Sequence, residues 1–241
     1  MSLVVIPARH ASTRLPGKPL RKIKDVPMIL RVAERCMQAK ADRVVVATDS
    51  QEILKVCETM DGLESTMSSP DIQSGTDRVA VVAKFAMDDI IINVQGDEPF
   101  IDPALINMLI DDLQKNPDVM MNTAACRFDA GEDIADPNSV KVVTDKDGYA
   151  LYFSRAAIPF NRDNAQTDYY RHIGIYGYRK EWLMQFASME PSSLEKAEKL
   201  EQLRALENGV RIKVLNTEYK PVSVDTEEDL LKAEEIINGM V

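Results

Sequence analysis

The sequence predicts an α/β fold: a mostly parallel central sheet flanked by helices, with a small β-containing sub-lobe. Apolar strand-like runs at residues 3–8, 43–48 and 90–94 alternate with amphipathic helical stretches through the first half, which is the pattern of βαβ units. Helix starts are spelled out as well. Ser74-Gly75-Thr76-Asp77 has capping-box form, and Asp102-Pro103 supplies a cap followed by a first-turn proline. Beyond residue 119 the pattern turns strand-rich, which sets the sub-lobe apart.

Taken in order, strand 3–8 is followed by Met28, Val32 and Cys36 at helical spacing, and strand 43–48 by Ile53, Cys57 and Met60. Val79, Val82 and Ala86 mark a third helix before strand 90–94, and Ile106, Leu109 and Leu113 a fourth after it. Four further strands are predicted at 119–128, 140–144, 149–154 and 172–178, with Asp145-Lys146-Asp147-Gly148 turning a hairpin between the second and third. Residues 120–190 then form the sub-lobe and a possible dimer surface. A single helix over 194–208 stops at Gly209, strand 210–215 follows, and Thr226 with Asp229 opens the last helix. No repeat, low-complexity tract or long linker interrupts the chain, so residues 1–241 read as one domain.

Composition narrows the function classes. Hydrophobic residues at 45% and charged residues at 28% are those of a soluble globule, and a formal net charge of -10 argues against nucleic-acid binding. No apolar run approaches the roughly 20 residues that span a bilayer, and no signal-like segment opens the chain, so a cytoplasmic protein without membrane insertion is expected. Cys36, Cys57 and Cys126 lack zinc spacing and read as packed, reduced thiols.

Against that acidic background, residues 1–24 carry Arg9, Arg14, Lys18, Arg21, Lys22 and Lys24 without one acid. Most basic runs are simply solvated faces. This one directly follows the first buried strand, through Pro7 and Ala8, where open α/β sheets place their ligands. A small polyphosphate fits such a loop. Gly17-Lys18 is followed by Pro19, so the hydroxyl of a Walker loop is absent, and no G-x-G-x-x-G pattern occurs.

The strand at 90–94 breaks at Gly96 and presents Asp97 at its carboxyl end, facing the same crevice. Asp225 sits likewise between Val224 and a helix start. Each reads either as a turn or cap residue or as a Mg²⁺ ligand, since Mg²⁺ uses one or two carboxylates and completes its shell with water and phosphate oxygens.

From end to end the chain resembles the 3-deoxy-manno-octulosonate (Kdo) cytidylyltransferases. The resemblance is carried by residues 7–20 with their Pro-Gly-Lys-Pro-Leu ending, Val46-Ala47-Thr48-Asp49, Gln73-Ser74-Gly75-Thr76-Asp77-Arg78, and residues 93–99. It continues through 149–159, 171–178, 200–206 and Val224-Asp225-Thr226. It implies a GT-A-like nucleotidyltransferase, usually dimeric, that joins CTP to an eight-carbon acidic sugar for lipopolysaccharide assembly. It further implies that Pro7, Ala8, Arg9, Arg14 and Lys18 hold the triphosphate, that Ser74, Gly75, Arg78 and Gln95 frame the cytidine, and that Asp97 and Asp225 hold Mg²⁺. Arg9, Lys18, Asp97 and Asp225 then carry the catalysis. Arg155, His172, Tyr176, Glu201 and Gln202 line the sugar pocket.

Without the family, His172 and Tyr176 are half-buried strand residues, Glu201 and Gln202 solvent-facing helix residues, and Arg155 a surface ion-pair partner. The sequence departs from the family's common spelling at His10, at Lys220-Pro221-Val222-Ser223 and in the short segment 161–170. An 8-amino form of the sugar, another sugar acid such as sialic acid, a glycosyltransferase using a preformed nucleotide sugar, and a nucleotide-binding regulatory module all remain open at this point.

Overall fold

The computed structural model describes residues 1–12, 14–72, 74–163 and 167–239. The chain runs β1 (Ser2–Ala8), a small hairpin of β2 (Lys22–Ile23) and β3 (Val26–Pro27), α1 (Met28–Met37), β4 (Arg43–Thr48), α2 (Gln51–Cys57) and β5 (Glu64–Met67). It continues through α3 (Gly75–Phe85), β6 (Ile90–Asn93), α4 (Pro103–Lys115), β7 (Met121–Arg127), β8 (Lys141–Thr144), β9 (Ala150–Ser154) and β10 (Tyr170–Arg179). The last elements are α5 (Lys180–Ala187), α6 (Ser193–Glu198), α7 (Gln202–Glu207), β11 (Ile212–Asn216) and α8 (Glu227–Gly239).

The main sheet has the order β11-β7-β10-β6-β1-β4-β5. Pairing is parallel throughout this path except at β10, which runs against both β6 and β7. The hairpin β8–β9 attaches to one end of β10. Its turn is the one the sequence predicts, with Gly148 at φ 77° and the Asp145 N–H bonded to the Tyr149 carbonyl.

Both faces of the sheet are covered, which is why its central strands are continuous apolar runs, polar only at their ends, instead of alternating. Val4, Ile6 and Ala8 of β1 pack with α1, α2 and α4 on one side, and Leu3 and Val5 pack with α3, α5 and α7 on the other. Each fully buried aliphatic side chain contributes about 1.5–3 kcal/mol. A third cluster joins Leu15 of the basic loop to Ile23, Met28, Val224, Leu230 and Ala233. It ties the basic loop to the segment that carries Asp225. Cys36, Cys57 and Cys126 are buried and free, and no helix among the described residues is long and apolar enough to cross a membrane.

The fold departs from the expected elements in two ways. The hairpin β2–β3, strand β5 and helix α5 are additions, the last although Trp182, Leu183 and Phe186 fall at helical spacing. The helix expected over 194–208 is two helices, broken at Lys199, which adopts φ 55° and a left-handed conformation unusual for a residue with a Cβ. The carbonyls exposed by the break at Glu198 and Lys199 are taken by the Arg155 guanidinium, at 2.8 and 3.4 Å. A contact from 43 residues away decides a local outcome that helix periodicity could not show.

Candidate active site

Three parallel strands end together at one crevice. β1 delivers Arg9, β4 delivers Asp49, and the chain after β6 delivers Gln95, Gly96 and Asp97. Gly96 is needed there, since a Cβ would lie 3.0 Å from the Pro7 carbonyl. Asp225 comes from the segment before α8 and is held against Asp97 by a main-chain bond, Val224 N–H to the Asp97 carbonyl at 2.9 Å.

The resulting cavity is lined by Pro7, Ala8, Arg9, Arg14, Lys18, Ser74, Gly75, Arg78, Gln95, Asp97 and Asp225. All the residues expected on the nucleotide side therefore face one space. Thr13 and Gln73, which belong to the same two motifs, lie outside the described residues.

Charge in this cavity is arranged unevenly. Lys18 Nζ donates to Asp97 Oδ2 at 2.6 Å and to Asp225 Oδ1 at 2.9 Å, and Arg14 reaches the same Asp225 oxygen at 2.9 Å. Burial works to lower the Lys18 pKa, yet the two carboxylates outweigh it and hold the ammonium above its ordinary value. Two carboxylates from distant segments thus converge on one point that a cation occupies. Arg9 is exposed at the rim.

Arg78 is buried, donating to Asp49 at 3.1 Å and also to the Ser68 hydroxyl. Asp49 in turn accepts the His10 main-chain N–H at 3.0 Å, so one carboxylate links the basic loop to α3. Ser74 caps α3 by accepting the Asp77 N–H at 3.0 Å, as its motif predicts.

A second cavity opens on the other side of Gln95, Asp97 and Asp225, which line both. Arg155, His172, Tyr176 and Gln202 line it; Glu201 does not. Glu201 instead accepts from the Thr76 hydroxyl and lies 3.5 Å from Arg204, so it braces α3 against the start of α7. Burial raises its pKa. Among the described residues Arg155 makes no ion pair, and its Nε, Nη1 and Nη2 donate to main-chain carbonyls. Gln202 is buried, with Nε2 lacking a partner among the described residues.

His172 stands edge-on to Phe153, and burial holds its imidazole down to about 3. Thr123 Oγ1 lies 2.7 Å from the Ile175 carbonyl, which takes the hydroxyl hydrogen, and 3.0 Å from His172 Nε2. The neutral ring therefore donates from Nε2. That network pins the bulge in β10 between Ile173 and Tyr176, where the strand turns Tyr176 toward the cavity.

Sequence reasoning passed over Glu98 and Arg171, which also line the second cavity. Burial pushes the Glu98 carboxyl up to about 7, although the Ser223 hydroxyl bonded to it pulls the other way. A second acid directly beside Asp97 in the strand-end loop was the available signal. Arg171 pairs with Glu132 at 2.8 Å and lies over the Phe128 ring, with its Nε buried and without a partner among the described residues.

Residues 3–212 match the family model described as cytidylyltransferase. The 3-deoxy-manno-octulosonate cytidylyltransferase of Geobacter sulfurreducens is 48% identical over 95% of this chain and 96% of its own length. That of Trichlorobacter lovleyi is 46% identical over 97% of both. Among solved structures, CMP:2-keto-3-deoxy-manno-octonic acid synthetase complexed with CTP superimposes with a TM-score of 0.95 at 37% identity, covering 100% of this chain and 99% of the other. With two cavities meeting at a pair of carboxylates on this fold, the chain belongs to the cytidylyltransferase family.

Proposed function

We propose that this protein couples CTP to 3-deoxy-manno-octulosonate, giving CMP-Kdo and pyrophosphate for lipopolysaccharide assembly. The observation that carries the reading is the junction: Gln95, Asp97 and Asp225 line both the basic cavity and the one beside it. A triphosphate in the first and a sugar in the second meet at the same pair of acids. The relatives' substrate fits that division, since one cavity is rich in cations and the other sets Arg155, Arg171 and Lys199 beside His172, Tyr176 and Gln202, with Glu98, Asp136 and Asp229 joining the two shared carboxylates.

In the proposed reaction the sugar's anomeric hydroxyl attacks the α-phosphorus of CTP in line, and pyrophosphate leaves. Transfer of this kind is catalysed mainly by positioning and by neutralising charge. Lys18 and Arg14 are placed to neutralise the leaving pyrophosphate. A unit charge pair at about 4 Å and an effective dielectric of about 20 is worth about 4 kcal/mol, which corresponds to about three decades of rate. Ser74 and Gly75 at the start of α3, with Gln95 and Arg78, frame the base, while the Asp49 link fixes Arg78 in place.

The donor set suits Mg²⁺. Among the described residues no cluster of three or more His, Cys, Asp or Glu offers a complete protein cage, but the two carboxylates that share Lys18 leave room for phosphate oxygens, as Mg²⁺ sites do. Bound there, the ion supplies Lewis-acid polarisation of the phosphoryl oxygens. Asp97 and Asp225 would hold it, and Lys18, which here bonds to both carboxylates, would face the phosphates.

The same reading has the enzyme working in the cytoplasm as a homodimer through the sub-lobe, where Leu151 and Phe160 are 63% and 87% exposed. The activity is tested by pyrophosphate release from CTP with Mg²⁺ against Kdo, 8-amino-Kdo and sialic acid, with UTP and metal-free controls. Release with Kdo and CTP alone is expected. Silence with every sugar, from folded protein that binds CTP, would favour a regulatory module.

A further inference from the structure

One wall of the second cavity is formed by residues 136–140, the end of β9 and the break between α6 and α7. Behind it lies Lys141, the first residue of β8, fully buried in a strand whose neighbours are Val140, Val142 and Val143. An apolar side chain would satisfy the packing there. Instead an ammonium sits inside, directed at main-chain carbonyls of Ser139 at 2.6 Å, Asp136 at 2.9 Å, and Arg155. An ammonium has three hydrogens, so all are used, and the cost of burying the charge is offset by bonds to otherwise unmatched carbonyls.

Arg155 carries the chain of contacts onward. Its Nε, Nη1 and Nη2 donate to the carbonyls of Glu198, Pro137 and Lys199, and the Glu198 carboxylate accepts from the Ser154 hydroxyl at 2.6 Å and the Arg155 N–H at 2.9 Å. Two cations thereby hold six carbonyls drawn from the loop before β8, the end of β9 and the helix break. The break leads directly into Gln202.

We infer that Lys141 is a positioning residue for the acceptor: through its three carbonyl contacts it fixes the loop at 136–139 against Arg155 and the helix break, and so sets the width of the sugar pocket. Lys141 does not itself line either cavity. The inference rests on the acceptor reading of the second cavity, and it separates the two substrates because none of the clamped segments lines the nucleotide cavity.

The test is steady-state pyrophosphate release by wild type, Lys141→Met and Lys141→Arg, varying CTP and Kdo separately, together with thermal melting and amide hydrogen exchange. Lys141→Met is expected to raise the KM for Kdo about tenfold while that for CTP stays within about twofold. Exchange quickens at 136–140 and 198–200 and is unchanged at 7–12. Lys141→Arg keeps the charge but replaces a compact ammonium with a planar fork, so it should fold and raise the Kdo KM about threefold. If Lys141→Met does not fold, Lys141→Arg decides. A folded variant with unchanged Kdo KM, or with both KM values raised equally, overturns the role given to Lys141 and leaves the proposed reaction standing. Wild-type silence toward Kdo overturns the acceptor reading and the role of Lys141 with it.

Discussion

The two cavities are built on different principles. The nucleotide side hangs on the carboxyl ends of parallel strands, and three of its cations lie in a loop near the start of the chain, with Arg9 and Arg14 exposed and Lys18 facing two acids, while Arg78 is buried on α3. The acceptor side is made where the sheet changes direction, from the antiparallel strand β10, the β8–β9 hairpin and a broken helix; Glu98 and Gln202 are buried there, while Arg155, Arg171, His172 and Tyr176 are half-buried, and Arg155, Arg171 and His172 are tied to protein groups. Charge held ready for a mobile, highly anionic substrate can stay near solvent. Shape that must discriminate among sugars needs a wall that does not move.

That contrast sets the expected order of effects. The largest falls at the junction: Asp97→Ala should lower turnover about a thousandfold with an unchanged circular dichroism spectrum, because Asp97 supplies a charge and no core packing. Near-normal turnover in the folded variant would remove Asp97 from the chemistry. On the nucleotide side, Lys18→Ala should reduce kcat about a hundredfold and weaken CTP binding by less, as calorimetry against initial rates would reveal. A change confined to CTP affinity would make Lys18 a ground-state ligand only.

On the acceptor side, Arg155→Ala should raise the Kdo KM about tenfold with little effect on that of CTP; a matching rise for CTP would erase the distinction between the two sides. His172 sharpens it in another way. With a folded pKa near 3 against an ordinary value of 6.5, the unfolded chain binds the proton that the native protein excludes. The His172 contribution to stability is therefore fully present above pH 6.5 and is lost as pH falls toward 3. NMR should find its ring neutral at pH 5, and a protonated ring there would contradict the burial that disfavours its charge. The smallest effect is structural: Ser74→Ala removes the cap of α3 at about 1 kcal/mol, a fall in Tm of about 2–4 °C.

The same contrast explains what could be read without a structure. Strands β1, β4 and β6 and the basic loop were legible because buried parallel strands are continuous apolar runs and because six cations without an acid stand out in an acidic chain. Residue roles in the second cavity came only through resemblance, since a half-buried His or Tyr on a strand looks the same whether it binds a ligand or packs. Lys199 could not be read as a helix break, because its cause is Arg155. Lys141 offered one faint signal, a lone charge within a run of valines. Glu201, expected in the sugar pocket by resemblance, lies instead on Thr76, a contact 125 residues apart that no local pattern encodes.

The central claim is that the two cavities act as one transfer centre across Asp97 and Asp225. It is tested most directly by measuring pyrophosphate released per Kdo consumed at saturating CTP and Mg²⁺, with and without the sugar. The account predicts one pyrophosphate per sugar, and none when the sugar is left out. Equal release without the sugar would mean that the protein hydrolyses CTP and that the second cavity takes no part in the reaction.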